Sequence, residues 1–467
     1  MHVSVVIPTY NRARMLSVTL PFLAAQRLPA GVSMEVIVSD DGSADDTAAV
    51  LERLAVQLPL RHVRRARTPD DRWSPGRPRN IGWREAVGEV VTFLDDDMVV
   101  APTFIGRVAE LFESPAARAG ERPGVVVHSM LGVNFAPWRL QVPAGLDASN
   151  VEDVLQRLAD DLAWFDFRRG IFEQVDNCLD RLPAPWMLGW TGALSVRRDL
   201  LEQVGGFDEQ FGEWGSEDDE LCYRLHAAGA SFVSTTTATA LQLPTDSGGS
   251  TTRTAPDSHA RNRLHVHRKF DRLETELYAL IEAPYLNEVL MRLEALVLWC
   301  TLPSYPAALL AQLRDCTLAR DDELSLLVGN AQHHITAALR PSHTFVVHEE
   351  VRRRLEQVLP GTRVERRLGC FTPYGDGSFS VVFLTDFVRL FHRTIQGSLL
   401  RELTRIGRRV FLLWTESYKA LYLGFESGAW STFEEVTQAA SDLGLVIEPV
   451  PWFDAGGPHR VYQVRPA

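Results

Sequence analysis

The sequence predicts an α/β protein of two helix-flanked, mostly parallel sheets, and three observations carry that prediction. From Val3 to about Leu111, short β-branched runs alternate with amphipathic segments, the pattern of a parallel sheet covered by helices. The same alternation restarts near residue 326. A chain of 467 residues with 45% hydrophobic content also exceeds one ordinary core and suits two or three domains.

The elements follow in order. VSVVI (3–7) ends at Pro8, MEVIVS (34–39) ends at Asp40 and Asp41, and EVVTFL (89–94) ends at Asp95, Asp96 and Asp97. Each strand delivers polar residues at its carboxyl end, the edge where open α/β sheets collect ligands. Ser43, with Asp46 three residues on, predicts a cap for the helix TAAVLERLAVQL (47–58). Residues 134–185 form an insertion rich in Trp, Phe and acidic groups, with helical periodicity in VEDVLQRLADDLAWF. GALSVRR (192–198) and ASFVS (230–234) predict further strands on either side of an acidic segment. Residues 235–262, dominated by Thr, Ser, Gly and Pro, are expected to be a mobile loop. A helical linker is expected over 271–325. The last segment, 326–467, repeats the strand–helix alternation through TFVVHE, RVERRLG, SVVFLTD and RRVFLLW, a second Rossmann-like sheet. Its first turn, Val328-Gly329-Asn330-Ala331, lacks the GxGxxG spacing that lets backbone approach a pyrophosphate or adenosyl group, so a degenerate, non-catalytic domain is expected.

Bulk properties exclude several classes. A net charge of −12 argues against a general nucleic-acid binder, which needs a basic face to displace counterions. Five cysteines, at 178, 222, 300, 316 and 370, include no CxxC pair, so neither a disulfide framework nor a zinc ribbon is predicted and a cytoplasmic setting is expected. No basic region followed by an apolar stretch opens the chain, so no secretion signal is expected. The apolar region Leu290–Leu313 is broken by Arg292, Glu294, Pro303 and Pro306 and makes a poor membrane span.

The triplet in FLDDDMV (93–99) carries the chemistry. Three adjacent carboxylates after an apolar strand repel and raise one another's pKa unless something cationic neutralises them. A divalent metal would do so through oxygen ligands and could bridge to the oxygens of a diphosphate. Manganese and magnesium both suit such a site.

Four blocks, VSVVIPTYNR (3–12), EVIVSDDGSADDT (35–47), RPRNIGWREAVGEVVTFLDDD (77–97) and LSVRRDLLEQVGGFDEQFGEWGSEDDELCYRL (194–225), resemble in order the nucleotide-sugar glycosyltransferases of the GT-A fold, family 2 type. The last block is similar to β-1,4-galactosyltransferases and polypeptide N-acetylgalactosaminyltransferases. The resemblance covers about the first 270 residues. It implies that Pro8, Thr9, Tyr10 and Arg12 line the turn against the base and ribose of the donor, and that Asp40 and Asp41 accept from them. Arg79 and Asn80 would lie beside the diphosphate, with Arg77 able to share that work. Asp95 and Asp97 correspond to the family's DxD, with Asp97 the direct metal ligand, Asp95 turned to ribose or metal, and Asp96 assigned to the donor. The further metal ligand implied is a His after the acidic segment, His265 or His267. Asp218 is the implied base of an inverting transfer, and Glu217 and Asp219 contact donor or acceptor hydroxyls. Trp186, Trp190 and Trp214 offer an aromatic platform for sugar rings.

The expected partners are a nucleoside diphosphate sugar, with UDP favoured by the resemblance, and an unidentified acceptor bearing a hydroxyl or other nucleophile; homo-oligomerisation stays open. Three alternatives are set against this: a bifunctional chain whose C-terminal domain binds S-adenosylmethionine, a non-catalytic sugar-nucleotide-binding protein of the same fold, and a nucleotidyltransferase. The last expects a GxGTR-like loop where this chain has IPTYNR.

Overall fold

The structure is a computed structural model that describes residues 1–68, 74–114, 122–133, 144–244, 255–281, 285–299, 305–317, 323–329, 333–415, 431–451 and 459–467. Two compact units divide the chain, Met1–Val266 and His267–Ala467.

In the first unit β1 (His2–Thr9) buries both faces. Val3, Val5 and Ile7 meet Leu16, Leu20 and Leu23 of α1 (Ala13–Ala24), whose i, i+4, i+7 spacing gives one apolar stripe. Val6 points to the opposite face, where α3 (Gly76–Glu85) lies so close that a Cβ on Gly82 would come within 2.3 Å of Val6 Cγ1. Between α1 and α3 run β2 (Ser33–Asp40), α2 (Thr47–Leu54) and β3 (Leu60–Arg64). Then follow β4 (Val90–Leu94), β5 (Met98–Val100), α4 (Phe104–Glu113) and β6 (Val125–Leu131). Helices α5 (Val151–Leu158) and α6 (Arg169–Gln174) precede β7 (Ala193–Arg197), α7 (Arg198–Val204), α8 (Glu217–Ala227), β8 (Phe232–Gln242) and α9 (Ala255–Phe270).

The sheet order is β3-β2-β1-β4-β7-β6-β8-β5. The first four strands are parallel, and β7 runs antiparallel to β4. Because β1 passes to β2 on one side and has β4 on the other, the connections diverge between β1 and β4, a place where open sheets leave a crevice at their carboxyl ends.

The second unit has its own sheet. Helices α10 (Leu273–Tyr278), α11 (Leu286–Trp299) and α12 (Ala307–Thr317) lead into β9 (Ser325–Val328), α13 (His333–Leu339), β10 (His343–Val346), α14 (Glu349–Val358), β11 (Arg363–Arg366) and β12 (Val381–Thr385). Then come α15 (Arg393–Ile406), β13 (Val410–Thr415), α16 (Phe433–Ser441), β14 (Leu445–Pro449) and β15 (His459–Pro466). The order is β11-β10-β9-β12-β13-β15-β14, with β15 antiparallel to both neighbours.

Three sequence expectations need correction. The loop predicted at 235–262 is largely ordered: β8 runs through Gln242 because its buried Ala238, Ala240 and Leu241 pack in the sheet, and α9 begins at Ala255; residues 245–254 lie outside the described residues. Ser43 does not cap α2. Its Oγ accepts from Asn11 N–H at 2.8 Å and its own N–H donates to Asp40 Oδ1 at 2.7 Å, so it ties two strand ends together. Of the expected linker, 271–325, helix α12 belongs to the second core, since its Leu309, Leu310 and Leu313 pack against Leu327, Phe383 and Phe411.

Candidate active site

At the divergence of β1 and β4, Thr9 Oγ1 donates to Asp96 Oδ2 at 2.8 Å and Arg12 Nε donates to Asp96 Oδ1 at 3.3 Å. Thr19 Oγ1 donates to the Asp96 carbonyl at 2.9 Å. Asp96 therefore braces the turn from below. Burial pushes its pKa up to about 6 against the opposing pull of Arg12 and Thr9.

Asp97 is placed differently. Its Oδ2 faces Gln242 Nε2 at 3.4 Å and Arg12 Nη2 at 3.8 Å, whereas Oδ1 is buried without a hydrogen-bond partner. Burial, then Asp95 and Asp96, push its pKa up to about 8. A buried carboxylate oxygen with nothing to bind, beside two more carboxylates, fits a hard divalent cation. Among the described residues, no group of three His, Cys, Asp or Glu forms a ready-made metal cluster.

Asp95 is one-third exposed and accepts from Arg79 Nη2 at 2.7 Å; its N–H donates to the Gly192 carbonyl at 3.1 Å. Arg79 Nη1 lies 3.9 Å from Glu217 Oε1. Burial alone would lower the Arg79 pKa, but Asp95, Glu217 and Asp218 raise it overall. One buried guanidinium thus joins two acidic sets more than a hundred residues apart in sequence.

Glu217 opens α8, after Ser216 at φ 67°, and its Oε2 accepts from Gly215 N–H at 3.0 Å. Burial and Asp218 push its pKa up to about 7, with Arg79 opposing. Asp218 accepts from Asp219 N–H at 3.0 Å and from the Thr191 N–H; burial raises its pKa against Arg79 and those bonds. Asp219 is buried beside them.

On the other flank Asp40 accepts from Ser43 N–H at 2.7 Å and lies 3.1 Å from His62 Nε2, while Asp41 accepts from Arg65 Nε at 2.8 Å. Tyr10 is exposed, with the Arg67 guanidinium 4.8 Å above its ring. Pro8 is the penultimate residue of β1.

Several expected site residues are engaged elsewhere. The Asn80 side chain is fully buried: Nδ2 donates to Phe207 O and Glu209 Oε1, and Oδ1 accepts from Trp83 Nε1 and Phe207 N–H. No polar atom of it is left for a diphosphate. Arg77 pairs with Glu209 at 3.2 Å. His267 belongs to the second unit, where its ring nitrogens face Thr275 Oγ1 at 3.2 Å and the Phe371 carbonyl at 3.3 Å, which occupies both positions a metal would use. His265, by contrast, keeps its Nε2 buried without a hydrogen-bond partner; its ring packs edge-on against Phe211 at 5.2 Å and lines a groove of about 500 Å³ with Gln210, Glu213, Arg261 and Asn262. Trp186 is fully buried against Tyr223 and offers no face for a sugar; Trp190 is half-buried and Trp214 is 52% exposed.

Sequence reasoning missed Gln242, Asn11 and, apart from Trp190, the loop Leu188–Gly192, which lies beside both acidic sets. Their only sequence signal is proximity to strand ends, which many inert residues share.

The first unit is thus a mixed α/β sheet whose carboxyl edge brings two acidic sets onto one guanidinium. Residues 4–126 match the family described as glycosyl transferase family 2, and residues 172–242 match the family described as the N-terminal domain of galactosyltransferase. A validoxylamine A glucosyltransferase of Streptomyces hygroscopicus is 37% identical over 228 residues, covering 48% of this chain and 51% of that protein. A chondroitin synthase of Pasteurella multocida is 30% identical over 233 residues, 49% of this chain and 23% of that protein. The chain therefore spans about half the length of the glucosyltransferase and less of the synthase. The structure of Staphylococcus aureus TarS 1–349 superposes with a TM-score of 0.42 at 18% identity, covering 73% of this chain and 83% of that one. No described helix is long and apolar enough to cross a membrane.

Proposed function

We propose that the first unit transfers a hexosyl group, with inversion, from a nucleoside diphosphate sugar to an acceptor hydroxyl. The observation that carries this reading is the Arg79 bridge, in which one guanidinium faces Asp95 of the first acidic set through Nη2 at 2.7 Å and Glu217 of the second through Nη1 at 3.9 Å. The relatives, named as a glucosyltransferase and a polysaccharide synthase, support glycosyl transfer, and UDP is the proposed nucleotide.

In this reading Asp97 and Asp95 hold a manganese or magnesium ion, which when bound neutralises charge on the departing diphosphate. Tyr10 stacks on the base, while Asp40 and Asp41 accept from base and ribose. Asp218 takes the acceptor hydroxyl proton as the acceptor oxygen bonds to the anomeric carbon; on the opposite face the bond from that carbon to the diphosphate oxygen breaks. Glu217 and Asp219 position the reacting hydroxyls, and the exposed Trp214 and half-buried Trp190 flank the acceptor. The second unit is proposed to be degenerate. Gly329, at φ +79°, is packed so tightly by Phe387 that a Cβ there would lie 2.4 Å from the Phe387 Cβ; Asn330 and Ala331, the rest of the expected first turn, lie outside the described residues.

The test is release of nucleoside diphosphate from UDP-, GDP- and TDP-sugars with manganese, magnesium or EDTA, in wild type and Asp97→Ala. Selective, EDTA-sensitive release that Asp97→Ala abolishes is expected. EDTA-resistant release, or full metal-dependent activity in the variant, would remove the metal role of Asp97.

A further inference from the structure

The insertion between β6 and β7 contains an ion pair with both side chains fully buried, Asp166–Arg168. Arg168 Nη2 and Nε donate to the Asp166 carboxylate at 2.8 and 3.0 Å, and Asp166 Oδ2 also accepts from Met130 N–H at 2.9 Å. The rest of the guanidinium is spent on main chain: Nη1 donates to the Leu188 carbonyl at 2.7 Å and Nη2 to the His128 carbonyl at 3.0 Å. Its Cζ lies 4.5 Å from the Trp190 ring centre, with Phe167 packed on the same indole at 5.4 Å.

The loop that Arg168 grips, Leu188–Gly192, touches both acidic sets. The Gly189 carbonyl accepts from Cys222 Sγ of α8 at 3.2 Å, and a Cβ on Gly189 would lie 2.4 Å from that sulfur. Thr191 N–H donates to Asp218. The Gly192 carbonyl accepts from Asp95 N–H at 3.1 Å, and a Cβ on Gly192 would come within 3.5 Å of Asp95 Oδ2. One short loop is thus pinned at the metal-side carboxylate, at the base and, from behind, by Arg168.

We infer that Arg168, held by Asp166, is a positioning residue that fixes the Leu188–Gly192 loop and through it the separation of Asp95 from Asp218. This rests on the transferase reading above. It assigns the insertion a part in the geometry of the reaction, beyond any part in acceptor choice. A lysine could keep the charge but not the planar fork that reaches Asp166, Leu188 and His128 together. Loss of such positioning slows turnover without weakening the donor site.

The experiment compares wild type with Arg168→Met, Asp166→Asn and Arg168→Lys by hydrogen exchange and by turnover. Faster exchange is expected in peptides covering 93–98, 186–194 and 215–221 with second-unit peptides unchanged, and Arg168→Lys should lie between Arg168→Met and wild type. With the donor that wild type uses, kcat should fall about a hundredfold, as for a misplacement near 1 Å, while affinity for UDP with manganese stays within about twofold. Wild-type exchange in all three peptides of folded variants would overturn the inference, as would unchanged kcat. If Arg168→Met does not fold, Arg168→Lys carries the same comparison. Absence of release by wild type from every donor would count against the transferase reading alone, because the exchange data still decide whether Arg168 holds the loop.

Discussion

Asp97 bears the costliest ionisation around the β4 turn: burial and two neighbouring carboxylates push its pKa up to about 8, and one of its oxygens has no partner. Asp96, one residue earlier, is satisfied by Thr9 and Arg12, so adjacent acids in one triplet do different work. On the base side, Asp218→Asn should leave donor affinity intact and cut turnover by about two orders of magnitude or more, the usual contribution of a general base, measured as kcat with the preferred donor. Near-normal kcat would remove Asp218 from the chemistry. Arg79 makes a second prediction with a definite sign. It lowers the pKa of both Glu217 and Asp218, against the burial that pushes them up. Taking the charge away in Arg79→Met raises both further, and since the proposed base would act as the carboxylate, the acidic limb of kcat/KM should move to higher pH. A limb that stays put or moves down would separate Arg79 from the base.

At the scale of elements, α3 is held to the segment before α8 by Asn80. Its amide exchanges both a donation and an acceptance with Phe207, and also bonds Glu209 and Trp83. Asn80→Ala strands the buried Phe207 N–H and carbonyl, and thermal or denaturant unfolding should show about 3 kcal/mol of lost stability. A cost near zero would mean that water or a shifted loop replaces the amide. The pairing of Arg79 with Asn80 shows why element packing divides neighbours in sequence. Successive helix residues point about 100° apart, so one faces the crevice and the next faces the loop.

At the scale of the whole molecule, two units with separate sheets need not unfold as one. Leu327 is fully buried in the second core, packed among Phe383, Phe411 and Leu310. Leu327→Ala should cost about 2–5 kcal/mol, and calorimetry should show one transition moving while another keeps its midpoint. A single transition that shifts as a whole would show that the units are strongly coupled.

Strand positions were legible because β-branched runs that end in polar residues have few alternatives; VSVVI, MEVIVS and EVVTFL all lie on strands of the first sheet, and the four runs named in the last segment lie on strands of the second. The acidic triplet and the EDD segment were legible as crowded charge for a similar reason, since like charges at an element's end demand a counter-charge, and Arg79 supplies one to both. What the sequence could not decide was which polar side chain would be consumed by its neighbours. Asn80, His267 and Trp186 had suitable chemistry, yet tertiary packing closed every hydrogen bond of the first, both nitrogens of the second and the whole surface of the third. Arg168 and Asp166 carried no signal: they are two residues apart, but their burial and the grip on the Leu188 and His128 carbonyls exist only once segments 20 and 40 residues away are folded against them. Local pattern fixes which residues form strands and helices, as it depends on near neighbours; the free valence of a side chain depends on everything packed around it, and only the tertiary structure supplies that.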